Sequence, residues 1–144
     1  MDPLKIFIAE DNDDHAEMII DALEEHNPEN QILRFINGEL LISYLEELTQ
    51  GDDTESLLPD LILLDIKMPI MDGLQALKII KQNMAFRHVP TMIVSTSEYS
   101  LDIEKGYQYG ANSYIVKPFD YTDFARKICE VSRFWVDISE PPKT

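Results

Sequence analysis

The chain has little positive charge. It contains 12 lysine and arginine residues against 27 aspartate and glutamate residues, which gives a formal net charge of −15 at pH 7. Proteins that bind nucleic acid draw much of their affinity from basic side chains on phosphate groups, and attachment to an anionic membrane surface also depends on basic residues. The composition therefore argues against nucleic-acid and membrane partners.

Other features that the sequence lacks argue against a disulfide-bonded, membrane-spanning or secreted protein. Cys129 is the single cysteine, so no intrachain disulfide can form. No apolar run approaches the roughly 20 residues that a membrane-spanning helix needs, and the first residues, MDPLKIFIAED, end in acids and do not resemble a secretory leader. These features predict a cytoplasmic protein. The 144 residues, 44% of them hydrophobic, predict one folded domain.

Five short apolar segments alternate with five segments of helical periodicity. The predicted strands occupy residues 4–9, 31–36, 60–65, 89–95 and 112–117. The predicted helices occupy residues 11–27, 37–48, 72–83, 100–110 and 120–138, and an acidic surface loop fills 49–59. Asn37 is a candidate cap for the second helix. Apolar strands separated by helices predict an α/β domain with a mostly parallel sheet covered on both faces.

In such sheets ligands bind beyond the carboxyl ends of the strands. The residues at those ends are mostly polar: Glu10 and Asp11 after the first strand, Asp65 at the end of the third, Ser95 and Thr96 at the end of the fourth, and Lys117 at the end of the fifth. We therefore expect three carboxylates, a hydroxyl group and an ammonium group to meet at one edge of the sheet.

This set of groups predicts phosphoryl chemistry. Three neighbouring carboxylates repel one another, and a bound Mg²⁺ would relieve that repulsion because it prefers carboxylate and carbonyl oxygens. Lys117 would add a second positive charge for a phosphoryl group. An aspartate can itself be the nucleophile, and Asp65 lies centrally in the predicted sheet. The chain contains no glycine-rich phosphate loop.

Four blocks of the sequence, IFIAEDNDD, LILLDIKMPIMDG, MIVSTS and GANSYIVKPF, resemble in order and spacing the signature blocks of response-regulator receiver domains. The resemblance covers about residues 4–130. It implies a flavodoxin-like (βα)5 three-layer sandwich with strand order 2-1-3-4-5, a receiver domain over 1–138 and a tail at 139–144. The long acidic loop and the ending VSRFWVDI resemble the phytochrome-associated single-domain receivers.

The resemblance also implies roles for individual residues. Asp65 would accept a phosphoryl group from the phosphohistidine of a histidine kinase or phosphotransfer protein. Asp11, Asp65 and the backbone carbonyl of Lys67 would coordinate Mg²⁺, and Glu10 would support the ion through water. Lys117 would contact the phosphoryl oxygens.

Further implied features concern the conformational switch. The peptide bond between Lys117 and Pro118 is expected to be cis. Ser95 and Tyr114 occupy the switch positions, where a hydroxyl group moves toward the phosphate and an aromatic ring turns inward. The family more often has threonine at the position of Ser95, so it stays open whether Thr96 shares the role.

The predicted output is a changed protein surface, because the chain leaves no room for a second domain. The expected face comprises the fourth helix, the fifth strand and the last helix, with Ile103 and Tyr107 among its residues. Phe134 and Trp135 are a hypothetical homodimer patch, and the alternative for Trp135 is ordinary core packing. The downstream protein is unknown from the sequence.

Three alternatives stay open. A phosphatase of the haloacid-dehalogenase type also uses an aspartate nucleophile and Mg²⁺, but it needs a second acid two residues later, where this chain has Lys67. A flavodoxin-like electron carrier needs a hydroxyl-rich phosphate loop, where this chain has acids at 10–13. A receiver-like scaffold that is never phosphorylated is the third. His15, His26 and His88 lack metal-ligand spacing and are expected on the surface.

Overall fold

The structure of the protein is a computed structural model that describes residues 3–117 and 120–133. Strands and helices alternate along the described chain, except that two helices follow the second strand. The strands are β1 (Lys5–Ala9), β2 (Gln31–Phe35), β3 (Leu61–Leu64), β4 (Thr91–Ser95) and β5 (Ser113–Val116). The helices are α1 (Asp13–His26), α2 (Gly38–Leu48), α3 (Thr54–Leu57), α4 (Gly73–Gln82), α5 (Ser100–Gln108) and α6 (Tyr121–Arg133).

All the strands are parallel, and they lie in the order β2-β1-β3-β4-β5. The predicted α/β class, the flavodoxin-like arrangement and its strand order are thereby confirmed. The predicted acidic loop differs in one respect, because it contains α3, a single helical turn. None of the described helices combines the length and the apolar composition that a membrane span requires.

The sheet is the middle of three layers, and an apolar cluster lies on each of its faces. On one face, α1 and α6 supply the buried side chains Ile19, Leu23, Phe124 and Ile128, which pack with Ile6, Ile8, Leu61, Leu63, Met92 and Val94 of the sheet. On the other face, α2 and α4 supply Leu41, Leu45, Leu77 and Ile80, which pack with Phe7, Ile62, Leu64 and Ile93. Strands buried on both faces explain why they appear in the sequence as unbroken apolar runs.

Two of the helices that border the carboxyl edge of the sheet, α1 and α2, begin at side-chain caps. Asn12 accepts the N–H of His15 at the start of α1, and Asn37 accepts the N–H of Leu40 at the start of α2. The predicted cap at Asn37 is therefore confirmed. Because an uncapped helix start leaves backbone donors unsatisfied, these caps fix where each helix begins relative to the strand before it.

The loop between β3 and α4 is held at several points. Ile70 has a φ angle of 69°, which a β-branched residue rarely adopts, and the N–H of Met71 donates to the carbonyl of Pro69 at 2.7 Å, as in a γ-turn. The carbonyl of Met71 accepts the N–H of Gly38 at 3.1 Å, and Asp72 caps α4 in a capping box. The neighbouring structure thus holds the strained residue in place.

Gly73 lets the start of α4 approach the backbone of Asp65. A Cβ atom at position 73 would overlap the carbonyl oxygen of Asp65 and would lie 3.0 Å from the Cα atom of Ile66. The N–H of Gly73 donates to the carbonyl of Ile66 at 2.9 Å. A side chain at this position would therefore displace the backbone that carries Asp65.

We expect Gly73→Ala to lower the free energy of unfolding by about 2 kcal/mol or more, because the added methyl group meets backbone that has no room to move. Urea denaturation of both proteins measures the change. Gly51→Ala is the matched control, since nothing lies within 4 Å of a Cβ atom at position 51, and it should change stability by no more than about 0.5 kcal/mol. Equal effects of the two substitutions would contradict the close approach.

Candidate functional site

Three carboxylates meet at the carboxyl edge of the sheet, as predicted. Ala9 of β1 pairs with Leu64 of β3, and this parallel register places Glu10 beside Asp65. Oxygen atoms of Glu10, Asp11 and Asp65 lie within 4.8 Å of one another. Glu10 and Asp65 are buried, whereas Asp11 is exposed. An all-oxygen donor set of this kind can hold a hard divalent cation.

Lys117 brings a positive charge to the same cluster. Its ammonium group forms an ion pair with Glu10 and lies 3.7 Å from Oδ2 of Asp65. The Lys117 side chain is only 6% exposed, so little water screens these charges. The other carboxylate oxygen of Asp65, Oδ1, accepts the N–H of Ile66 at 2.8 Å. Asp65 is therefore fixed through one oxygen while the other faces the ammonium group.

The carboxyl group of Glu10 has an unusual environment for an acid. Burial raises its pKa from 4.5 to about 7, the charge of Asp65 acts in the same direction, and Lys117 opposes both. Two buried carboxylates beside one ammonium group leave an excess of negative charge. The cluster without a cation therefore destabilises the ionised form of Glu10.

Ser95 and Tyr114 lie where β4 and β5 end, and Ser97 in the loop after β4 links them. Ser95 is buried, and its Oγ accepts the N–H of Ser97 at 3.2 Å. The phenol of Tyr114 donates to the backbone carbonyl of Ser97 at 2.9 Å, and burial raises the pKa of this phenol. Thr96 is exposed, unlike Ser95.

Tyr114 is also held from α5. Its backbone N–H donates to the hydroxyl oxygen of Tyr107 at 3.1 Å, and its ring lies against Gly106, where a Cβ atom would come within 3.2 Å. Tyr107 is 51% exposed and Ile103 is half-buried. Both residues lie on α5, and of the two only Tyr107 offers a large exposed surface.

Two residues near the cluster were not predicted to lie there. His15 was expected on the surface. Its side chain is 34% exposed, and its Nδ1 lies 3.0 Å from Nζ of Lys117, a contact that was not predicted. Arg34 of β2 was not predicted as a site residue. A charged residue within an apolar strand, close to the carboxyl end, was the available signal for Arg34.

Arg34 ties down the loop that carries the acids. Its Nε donates to the backbone carbonyl of Glu10 at 3.0 Å, and its guanidinium also pairs with the exposed carboxylate of Asp13 at 2.8 Å. The Nη2 atom is buried and has no hydrogen-bond partner within the part of the chain that the structure describes. Arg34 thus joins β2 to the loop on both sides of Asp11.

Several predicted features lie outside the described residues. These are the Lys117–Pro118 bond, the pair Phe134 and Trp135, and the domain boundary at residue 138 with the tail at 139–144. Lys67 is exposed in the loop after β3.

The geometry can be compared with known proteins. The family model of the response regulator receiver domain matches residues 6–129. The chain belongs to the response-regulator receiver family. Receiver domains work with histidine kinases or phosphotransfer proteins in two-component signalling, so the chain is a signalling protein of that kind, and nearly all of it is receiver domain.

Three relatives show how far the similarity extends. FilR2 of Methanothrix harundinacea is 31% identical over 98% of this chain and 89% of its own. The phosphorylated cyanobacterial phytochrome response regulator RcpA has a TM-score of 0.85 at 28% identity, with 99% of this chain and 100% of that chain covered. The Mn²⁺-bound form of Rcp1, from Synechocystis sp., has a TM-score of 0.83 at 26% identity, with 98% and 100% covered. The resemblance to phytochrome-associated receivers is confirmed.

Because burial raises the pKa of Glu10, its carboxyl group holds its proton more firmly in the folded state than in the unfolded state. Ionisation of Glu10 therefore costs stability as pH rises from 4.5 towards 7. We expect the unfolding free energy of the metal-free protein, relative to Glu10→Gln, to fall across this range by on the order of 1–3 kcal/mol. Urea denaturation with a chelator at several pH values measures it.

Glu17→Gln is the control for that series, because Glu17 is an exposed acid on α1, the helix that follows Glu10. The unfolding free energy of Glu17→Gln should change with pH in the same way as that of the wild type. If the unfolding free energies of the wild type and of Glu10→Gln changed in parallel with pH, they would contradict the unfavourable environment of the ionised Glu10.

The contacts of Arg34 predict a weaker cation site when they are removed. We expect Arg34→Met to raise the Kd for a divalent cation on the order of tenfold, as is common when a residue that supports metal ligands is lost. Calorimetric titration with Mg²⁺ or Mn²⁺ measures the change. Loss of a positive charge alone would lower the Kd, so an unchanged or tighter Kd would contradict the positioning role. Asp13→Asn, which removes only the exposed pair, should have little effect.

Proposed function

We propose that this receiver accepts a phosphoryl group on Asp65 from the phosphohistidine of a histidine kinase or phosphotransfer protein. The observation that carries the proposal is the position of Asp65. Its carboxylate belongs to a cluster of three acids, and its Oδ2 lies 3.7 Å from the ammonium group of Lys117. Cationic groups on both sides of a reacting carboxylate suit a phosphoryl group, whose oxygens carry negative charge.

The transfer exchanges one bond to phosphorus for another. An oxygen of Asp65 forms the new O–P bond as the P–N bond of the phosphohistidine breaks, and the electron pair of that bond stays on the imidazole nitrogen. Lys117 stabilises the phosphoryl oxygens, which carry the charge during transfer. Neutralising that charge and aligning the reactants are the main tasks of a protein in such a reaction.

We propose Mg²⁺ as the cofactor, with Asp11, Asp65 and the backbone carbonyl of Lys67 as its ligands and Glu10 in support through water. Carboxylate and carbonyl oxygens are the donors that Mg²⁺ prefers, and the Mn²⁺-bound form of the similar Rcp1 supports a divalent ion. When bound, the ion would neutralise charge on the phosphoryl group. It would also relieve the excess negative charge around Glu10.

We propose that phosphorylation is read through Ser95 and Tyr114. The hydroxyl of buried Ser95 would turn from the N–H of Ser97 toward the phosphoryl oxygens, which would release the loop whose carbonyl receives the phenol of Tyr114. The rearranged face includes Ile103 and Tyr107, and a downstream protein would bind there. Self-association through Phe134 and Trp135, and the cytoplasmic location, stay predictions.

The test uses phosphoramidate, a small donor that contains the same P–N bond as phosphohistidine. With Mg²⁺, intact-mass measurement should show one added phosphoryl group on the wild type and none on Asp65→Asn. Asp21→Asn, which changes an exposed acid on α1, should be labelled like the wild type. Chelation of Mg²⁺ should abolish labelling.

An unlabelled wild type would refute phosphoryl acceptance and leave a receiver-like scaffold. Continuous release of phosphate from unrelated monoesters would instead indicate a phosphatase. Labelling of Asp65→Asn at the wild-type rate would show that another residue is the acceptor.

A further inference from the structure

Among the described residues, three acceptor groups lie around the ammonium group of Lys117. They are the carboxylate of Glu10, Nδ1 of His15 at 3.0 Å and Oδ2 of Asp65 at 3.7 Å. An ammonium group has three N–H donors. Glu10 and His15 lie within hydrogen-bond distance and occupy two of them, whereas Asp65 lies beyond that distance. Within the described residues the third donor has no partner, and it can bond a group attached to Asp65.

The contact with Lys117 determines the protonation of His15. An ammonium group can only donate, so Nδ1 of His15 must be the acceptor and the imidazole proton must lie on Nε2. Burial and the charge of Lys117 lower the pKa of His15, which agrees with a neutral ring. The backbone N–H of His15 donates to the capping side chain of Asn12 at 3.0 Å, which fixes the backbone of His15 at the start of α1.

A neutral acceptor has an advantage at this place. The cluster already contains Glu10, Asp11 and Asp65, and a fourth acid would add repulsion. A cation bound by these acids would also compete with Lys117 for the carboxylate of Glu10. His15 can hold the ammonium group without adding charge and without taking part in cation binding.

We propose that His15 is a positioning residue for phosphoryl transfer: its neutral imidazole accepts a hydrogen bond from Lys117 and thereby directs the remaining N–H of Lys117 toward the phosphoryl group on Asp65. This inference rests on the proposed function of Asp65 and Lys117. It assigns to His15 a role in the rate of transfer and none in cation binding.

The first experiment compares His15→Leu with His15→Asn. Leucine has about the size of histidine but no acceptor, whereas the side-chain oxygen of asparagine can replace Nδ1. At saturating phosphoramidate and Mg²⁺, His15→Leu should be phosphorylated on the order of tenfold more slowly, as expected for a lost hydrogen bond to a charged group. His15→Asn should stay within about threefold of the wild type. The Kd for Mg²⁺ should be the same in all three proteins.

The second experiment observes the hydrogen bond directly in the unphosphorylated wild type. Long-range ¹H–¹⁵N spectra of the imidazole rings should show His15 with its proton on Nε2 and with a hydrogen-bonded Nδ1. In Lys117→Met the Nδ1 resonance of His15 should move to the position of a free acceptor. The resonances of His26 and His88 serve as internal references and should not move.

The outcomes separate this inference from the proposed function. A wild type that is not phosphorylated refutes the proposed function, and the positioning role with it, even if the spectra show the hydrogen bond. A phosphorylated wild type with an equally fast His15→Leu refutes only the role of His15. Equally slow Leu and Asn variants, or a proton on Nδ1 of His15, would also overturn it, because an acceptor would then not be what matters.

Discussion

The charge balance among Glu10, Asp65 and Lys117 is the constraint on which the site depends. Parallel pairing of β1 with β3 makes the two acids neighbours, and burial removes the water that would otherwise screen them. The ammonium group of Lys117 compensates part of that charge, yet it is shared between both acids. The remaining excess of negative charge is what makes the cluster suited to a cation.

The loops around the site keep this unfavourable cluster in place. Arg34 holds the backbone of Glu10 from the neighbouring strand, and Gly73 allows α4 to start directly against Asp65. The turn at Ile70 is locally strained but is secured by the bond between Met71 and Gly38. Stability of the surrounding fold thus supports a site that is itself destabilising, as is common where function requires buried charge.

Much of the fold and of the acid cluster could be predicted from the sequence, because both depend on local patterns. Apolar runs indicated the strands, and the rule that parallel strands present their carboxyl ends at one edge brought distant acids together. The surroundings of the cluster could not be predicted in this way. His15 meets Lys117 across 102 positions of the chain, through the orientation of α1 over the sheet. The partners of Arg34 depend on which strand lies beside β1, and nothing in an isoleucine indicates a positive φ angle.

Tyr114 has a consequence for how other proteins can recognise this face. β5 is an edge strand, and edge strands normally offer free N–H groups to an incoming strand. At Tyr114 the phenol oxygen of Tyr107 already occupies that donor. Extension of the sheet by a further strand is therefore blocked at this point, and a protein that bound this face as proposed would meet side chains there and not the backbone donor of Tyr114.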